Sequence, residues 1–389
     1  MKEKIILKGI TWGHSRGITP LLAYAQRFSE LYPQVDVQWK KRTLQEFADF
    51  PIEQLTAHYD LLIIDHPWVG CAAATNCVLP LERYLSEAYL KDQQKNSVGG
   101  SHQSYRYNGH QWALAIDAAT PVASYRTDLL QKHRVAVPTT WEEVLALAKD
   151  GKVAVPAIPI DLLMNFYTFC LAHGKEPFQN DEEVIDSETG LQALHSMQEF
   201  YSLVNKKMFG YNPIAVAEAM TKGDEFWYCP FAYGYSNYSR KGYAKHRLQY
   251  TDVVSFNGEK LRTTVGGTGL AVSAYSQHKE WALRFAKELV SPEVQATFYV
   301  QHGGQPGHLS AWKDEAANQL CSNYFTNVLP AMERGYIRPR YNGYLHFQDA
   351  AGHPIRRFLW HGGQPANVLK DLNRIYQQSL SLQPAKAAV

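Results

Sequence analysis

Ile5-Ile6-Leu7-Lys8-Gly9-Ile10-Thr11-Trp12, followed by Gly13-His14-Ser15-Arg16-Gly17, reads as a buried strand ending in a tight turn. A helix is predicted from about residue 19 to residue 32. Thr19 is its expected cap, Pro20 suits its first turn, and Leu21, Leu22, Ala25, Phe28 and Leu31 form its apolar stripe. Pro33 ends the helix, and Val35-Asp36-Val37-Gln38-Trp39 alternates as a second strand. Two strands joined by a helix in this order make a parallel βαβ unit, which places the chain in the α/β class. A third strand, Tyr59-Asp60-Leu61-Leu62-Ile63-Ile64, delivers Asp65-His66-Pro67-Trp68 at its carboxyl end. Open α/β sheets bind ligands beyond the carboxyl ends of their strands, so the loops 12–17 and 65–68 are expected on one rim.

Bulk composition narrows the class further. The chain has 389 residues, enough for two ordinary domains, and its net charge of +2 carries no electrostatic footprint for nucleic acid or an anionic membrane. Aromatic residues make up 13% of it, with 24 Tyr, 16 Phe and 9 Trp; most must be core, and the remainder can line a binding surface. Cys71, Cys77, Cys170, Cys229 and Cys321 form neither a Cys-x-x-Cys pair nor a zinc spacing, and read as small buried hydrophobes. The 15 histidines contain no His-Glu-x-x-His, so neither a metal nor a cofactor is expected. No run of 18 apolar residues is present to span a membrane as a helix. Met1-Lys2-Glu3-Lys4 leads directly into the first strand rather than into the apolar region of a signal peptide, so the chain as written shows no export signal.

Further along, Tyr105–Leu114 reads as a hairpin turning at Asn108-Gly109, and Pro121-Val122-Ala123-Ser124-Tyr125-Arg126 as a strand. Thr140 and Glu143 have the spacing of a capping box. Helices are predicted over 162–172 and 190–206, an extended aromatic segment over 226–235, and a Gly-rich strand over 263–272. Two more helices follow, about 279–290 and from Ser291 to His302. The pentapeptide His-Gly-Gly-Gln-Pro, at 302–306 and again at 361–365, reads as helix-boundary punctuation.

Taken in order, these segments resemble the extracellular solute-binding proteins of ATP-binding-cassette importers, in particular the maltose-binding-like group. The resemblance is carried by Tyr59 to Trp68 with Val78-Leu79-Pro80-Leu81, and by Tyr107-Asn108-Gly109 through Asp117 with Ser124-Tyr125-Arg126-Thr127-Asp128-Leu129-Leu130. It continues in Pro138-Thr139-Thr140-Trp141-Glu142-Glu143, Gly266-Gly267-Thr268-Gly269-Leu270, Ser291-Pro292-Glu293 and Gly304-Gln305-Pro306, and so spans most of 5–310. It departs from the group at Ala115-Ile116-Asp117, where Leu-Pro-x-Asp is usual. The resemblance implies a two-lobed, type II periplasmic-binding-protein-like α/β fold with a ligand cleft between lobes and capture by hinge closure. One lobe is expected at 1–118 plus 257–309, the other at 119–256 plus 310–389, with crossings near 118, 257 and 310. It further implies a small polar solute, in the first place a carbohydrate, a membrane permease of an ABC importer as partner, and a monomer. The family is normally exported, whereas the N-terminus shows no leader, so a periplasmic or extracytoplasmic location and a cytoplasmic one both stay open.

Trp12 is a candidate stacking platform, with His14 and Arg16 as donors. Asp65 can accept from vicinal hydroxyls beside His66 and Trp68, or simply cap the helix that follows. Asp117 joins them through the resemblance. On the aromatic segment, alternation puts Trp227, Tyr233 and Tyr235 on one face and Tyr228 on the other. Gly266, Gly267 and Thr268 can bring backbone N–H groups close to a ligand, or merely open a strand. Asn165 and Tyr167 are weaker candidates. The competing reading is an enzyme. Gly13-His14-Ser15-Arg16-Gly17 fits Gly-x-Ser-x-Gly between a strand and a helix, with Ser15 as nucleophile, although a hydrolase elbow normally follows several strands. A catalytic member of the binding-protein fold is the other enzymatic alternative.

Overall fold

The computed structural model describes residues 4–42 and 52–382; the reading of residues 1–3 lies outside the described residues. In chain order the strands are β1 (Ile5–Trp12), β2 (Val35–Arg42), β3 (Leu61–Ile64), β4 (Arg106–Tyr107), β5 (His110–Gln111), β6 (Leu114–Ala119), β7 (Pro121–Tyr125), β8 (Tyr228–Tyr233), β9 (Gln249–Thr251), β10 (Ser255–Phe256), β11 (Glu259–Lys260) and β12 (Gly266–Val272). The chain divides into two compact units. The first is Met1–Ala119, Val265–Thr326 and Arg340–Asn342; the second is Thr120–Thr264, Asn327–Pro339 and Gly343–Val389. Residues 310–326 group with the first unit because Trp312 Nε1 donates to Pro306 O at 2.7 Å and Leu309 N donates to Asn96 O at 2.7 Å. Residues 257–264 group with the second, where Thr263 Oγ1 donates to Pro121 O at 2.8 Å.

The first unit is built on a five-stranded sheet in the order β2-β1-β3-β12-β6. β1 runs parallel to β2 and β3, as the βαβ pattern requires, while β12 is antiparallel to both β3 and β6. The helix after β1 spans Ser15–Leu31, starting before the expected Thr19, because His14 is the cap: its Nδ1 accepts from Arg16 N at 3.0 Å. Pro20 therefore lies inside the helix, where it removes one backbone donor. Asn108 and Gly109 both take positive φ, 49° and 80°, which closes the β4–β5 hairpin as its sequence predicts.

The second unit carries a three-stranded antiparallel sheet, β8-β7-β9, and a packed set of helices. Its aromatic residues supply the core. Trp141 meets Phe169, Phe200, Phe231 and Phe256, and Phe178 meets Tyr167, Tyr344, Phe347 and Tyr376. The capping box is present, with Thr140 and Glu143 bonding reciprocally at the start of the helix Trp141–Lys149. The helix Tyr344–His361 crosses the start of the helix Pro159–Ala172 so closely that a Cβ on Gly352 would fall inside van der Waals contact of Pro159 O. Backbone cannot yield there as a flexible side chain would. Gly352→Ala is therefore expected to destabilise the protein by about 1–3 kcal/mol in denaturant unfolding; an unchanged midpoint would refute the close crossing.

Candidate functional site

β1 and β3 end side by side, since Ile10 pairs with Leu62 and two further residues bring Trp12 level with Ile64. β12 begins beyond Ile64, Gly269 being its partner, and Gly266 pairs with Ala119 at the end of β6. The first unit thus gathers Trp12, His14, Arg16, Asp65, His66, Trp68, Asp117 and Gly266 to Thr268 along one rim of its sheet.

Burial then separates these residues. Trp12 and Trp68 are buried, and Trp12 packs over Gly17, whose missing Cβ leaves room for the indole. His14 stacks on Trp12 with ring centroids 5.6 Å apart and is half-buried. Arg16 and Asp117 form a buried, bidentate ion pair: Arg16 Nε donates to Asp117 Oδ2 at 2.9 Å, and Nη2 donates to Oδ1. Burial pushes the Asp117 carboxyl above the usual carboxylate range, against the pull of Arg16 and of the Gln305 backbone N–H. Asp65 does what a capping residue does. Its Oδ1 accepts from His66 N at 2.8 Å at the head of a short helical turn, His66–Trp68, in which His66 is fully buried.

Two of the glycines of β12, Gly267 and Gly269, are explained by packing. A Cβ on Gly267, where φ is +93°, would strike Asp117 O, and one on Gly269 would enter the Tyr105 ring. Gly266 to Thr268 spend their backbone in the ladder with β6.

In the second unit the aromatic segment does not alternate as expected. The register between β7 and β8 shifts between Val122 and Ser124, which pair with Ala232 and Cys229, so β8 carries one extra residue around Pro230. Such a bulge suits a proline on an edge strand and breaks the period of two. Trp227 is accordingly not on a shared face with Tyr233 and Tyr235. It packs on Leu129 and Leu130, stacks on His133 at 4.3 Å, lies under Lys152 Nζ at 4.8 Å, and donates Nε1 to Asp224 O. Tyr233, at the far end of β8, shares a 2.9 Å hydrogen bond with Thr264 Oγ1, and Tyr235 is buried beside Tyr238.

Sequence reasoning missed Asp161. Val153 bridges in parallel to Tyr228, so the helix Pro159–Ala172 starts at the same end of the second unit's sheet as Tyr233. Asp161 lies in its first turn, 6% exposed, and its carboxyl makes no hydrogen bond to any described residue. Desolvation raises its pKa to about 8. A helix N-terminus favours the charged form by about 0.3–1 kcal/mol, less than one pKa unit, so desolvation wins. One turn on, Asn165 is also buried; it donates Nδ2 to Tyr201 OH at 2.8 Å, and no described residue donates to its Oδ1. Tyr167 shares a hydrogen bond with Tyr344 inside the core. A signal for Asp161 existed: it is the one charged residue in the helix Pro159–Ala172, whose residues 161–170 are all buried.

A sheet of four co-directional strands, an antiparallel strand returning from a second unit, and ligand-type residues at the strand ends together define a two-unit solute-binding architecture. A profile described as bacterial extracellular solute-binding protein matches residues 14–296, and the chain belongs to that family. Solved structures agree along the full length. The maltose-bound MalE3 of T. maritima is 18% identical with a TM-score of 0.84, over 96% of this chain and 99% of that one. An ABC transporter solute-binding protein from Agrobacterium radiobacter, in complex with ribitol, is 21% identical with a TM-score of 0.81, over 97% and 99%. The maltotriose-binding protein of Thermus thermophilus, bound to maltotriose, is 21% identical with a TM-score of 0.78, over 97% and 100%.

Proposed function

We propose that this chain is the substrate-binding subunit of an ABC importer and that its solute is a carbohydrate or polyol. The observation that carries the reading is the full-length likeness to binding proteins solved with maltose, maltotriose and ribitol. Residue chemistry supports it. A neutral Asp161 carboxyl offers a donor and an acceptor, and Asn165, on the same helix face, offers a second acceptor; hydroxyls can satisfy all three. In the first unit, His14, Asp65 and the buried Trp12 and Trp68 are the proposed rim contacts, held up by Arg16 and Asp117. Tyr233 and Tyr235 are the proposed contacts carried by the second unit. The partner is the membrane permease of the importer, and the chain acts as a monomer.

A binder rather than an enzyme is the better reading of the 13–17 turn. A nucleophile elbow needs a strained backbone at the serine, whereas Ser15 is not among the residues of positive φ and simply opens the helix Ser15–Leu31.

A thermal-shift screen of mono- and oligosaccharides, polyols and sugar acids tests the reading. A ligand at a hundred times its Kd stabilises by about 2.7 kcal/mol, a clear rise in Tm. Asn165→Ala is expected to weaken the response to the ligand found by about tenfold, the cost of one hydrogen bond to an acceptor on a buried side chain. Silence across the panel would remove carbohydrate from the proposal.

A further inference from the structure

A cavity of about 250 Å³ opens in the first unit between the helix Glu87–Lys95, the short helix Ser101–Ser104 and the β4–β5 hairpin. Its lining includes Glu82, Lys91, Gln94, His102, Arg106 and Gln111. The acids there already have partners. Glu82 bonds to the His110 ring and accepts from Gln111 N at 3.1 Å, and Glu87 pairs with Lys91 at 2.6 Å.

Three other groups do not. Gln111 is 5% exposed and commits Nε2 to two carbonyls, His102 O at 3.1 Å and Ala113 O at 2.9 Å, which leaves its buried Oε1 without a donor. The imidazole of His102, 6% exposed, makes no hydrogen bond to a described residue. Arg106 stands close enough to His102 for its charge to act on the ring, and its guanidinium has no ion-pair partner among the described residues. Burial and that charge push the His102 pKa down to about 4, so the ring is neutral at pH 7 and can serve as donor or acceptor. A buried acceptor with no donor costs free energy that a ligand hydrogen can recover, and a guanidinium beside it is matched by a carboxylate.

We propose that this cavity is a second ligand site, which takes a small carboxylate bearing a hydroxyl or ammonium donor. The carboxylate meets Arg106, the donor meets Gln111 Oε1, and His102 bridges them. The site is independent of the carbohydrate reading, since no residue of it lies on the strand-end rim.

The test follows the His102 imidazole signals by NMR while the full chain is titrated with lactate, malate, serine and glutamate. Acetate and ethylene glycol are the controls, because each offers only half of the expected chemistry. At least one of the four should shift the His102 signals saturably, with affinity falling about tenfold or more in Arg106→Gln and recovering in Arg106→Lys. His102→Asn, which removes the reporter, is read by calorimetry and should weaken the same ligand. No saturable shift with any of the four would overturn the proposal and leave the cavity to water. Equal binding by Arg106→Gln, or equal response to the two controls, would overturn it as well. The thermal response to sugars should be unchanged in Arg106→Gln, so failure here is distinguishable from failure of the carbohydrate reading.

Discussion

Between about pH 4 and pH 8 the wild-type protein is expected to lose stability relative to an Asp161→Asn variant, by about 6 kcal/mol at most. The unfolded chain releases this proton near the ordinary value of 3.8, whereas the folded protein holds it until about pH 8. In that window the folded state binds the extra proton, so its stability relative to the unfolded chain falls by about 1.4 kcal/mol for each pH unit. The contribution is fully present below pH 4 and fully lost above pH 8. Other groups have the opposite sign. His102, His173 and His308 are pushed below the ordinary histidine value by burial, so the unfolded chain takes up their protons first and stability rises with pH through the mildly acidic range. The wild-type curve alone is therefore a sum of opposing slopes. The difference between wild type and Asp161→Asn isolates the carboxyl, and denaturant midpoints at pH 5, 7 and 9 should diverge with the variant gaining, by more from pH 5 to 7 than from pH 7 to 9, because the divergence levels off above pH 8. Parallel curves would mean that Asp161 is solvated or paired. The same variant keeps a donor and an acceptor at the position, so it should retain ligand binding while losing whatever alkaline fall the wild type shows.

How much of this was legible in the sequence depends on the range of the interaction. The parallel start of the sheet and the strand-end rim came from local periodicity, because a buried strand followed by an amphipathic helix leaves few topologies. The capping box at Thr140 and the turn at Asn108-Gly109 were equally local. The place of β12 between β3 and β6 is set by pairings more than a hundred residues apart, and there only likeness to a family helped. At Trp227 the period-two argument failed because one extra residue at the bulge near Pro230 reverses every later side chain. The sequence suggests His14 as a ligand donor but does not show that it also caps its helix, because capping is a role that Ser, Thr, Asp or Asn advertise more plainly. Asp161 resembled an ordinary acidic residue in a first helical turn, and only the apolar character of the whole helix betrays its burial.

Arg16 and Asp117 join segments 101 residues apart, and removing either alone should be among the most damaging changes in the first unit. Both side chains are almost fully buried, at 4% and 2% exposure, and burial works against the charge on Asp117 even with the guanidinium in place. The pair is consequently no large source of stability in itself; its importance lies in what a single deletion leaves behind. Arg16→Met takes the bidentate partner from a buried carboxylate, and Asp117→Leu takes the carboxylate from a buried guanidinium, each at a cost of about 3–5 kcal/mol. The double variant leaves no buried charge and should recover most of that loss, giving a strong positive coupling in a double-mutant cycle. Denaturant unfolding of the four proteins measures it. Additive losses would mean that the two groups are solvated separately and that the rim rests on something else. Function divides the outcomes further. Asp117 stands on β6 opposite Thr268 of β12, and Arg16 stands in the first turn of the helix that follows β1, so the pair links the ends of these three strands. A double variant that is stable yet has lost its sugar response would identify the pair as the positioning element of the rim, and one that binds normally would confine it to stability.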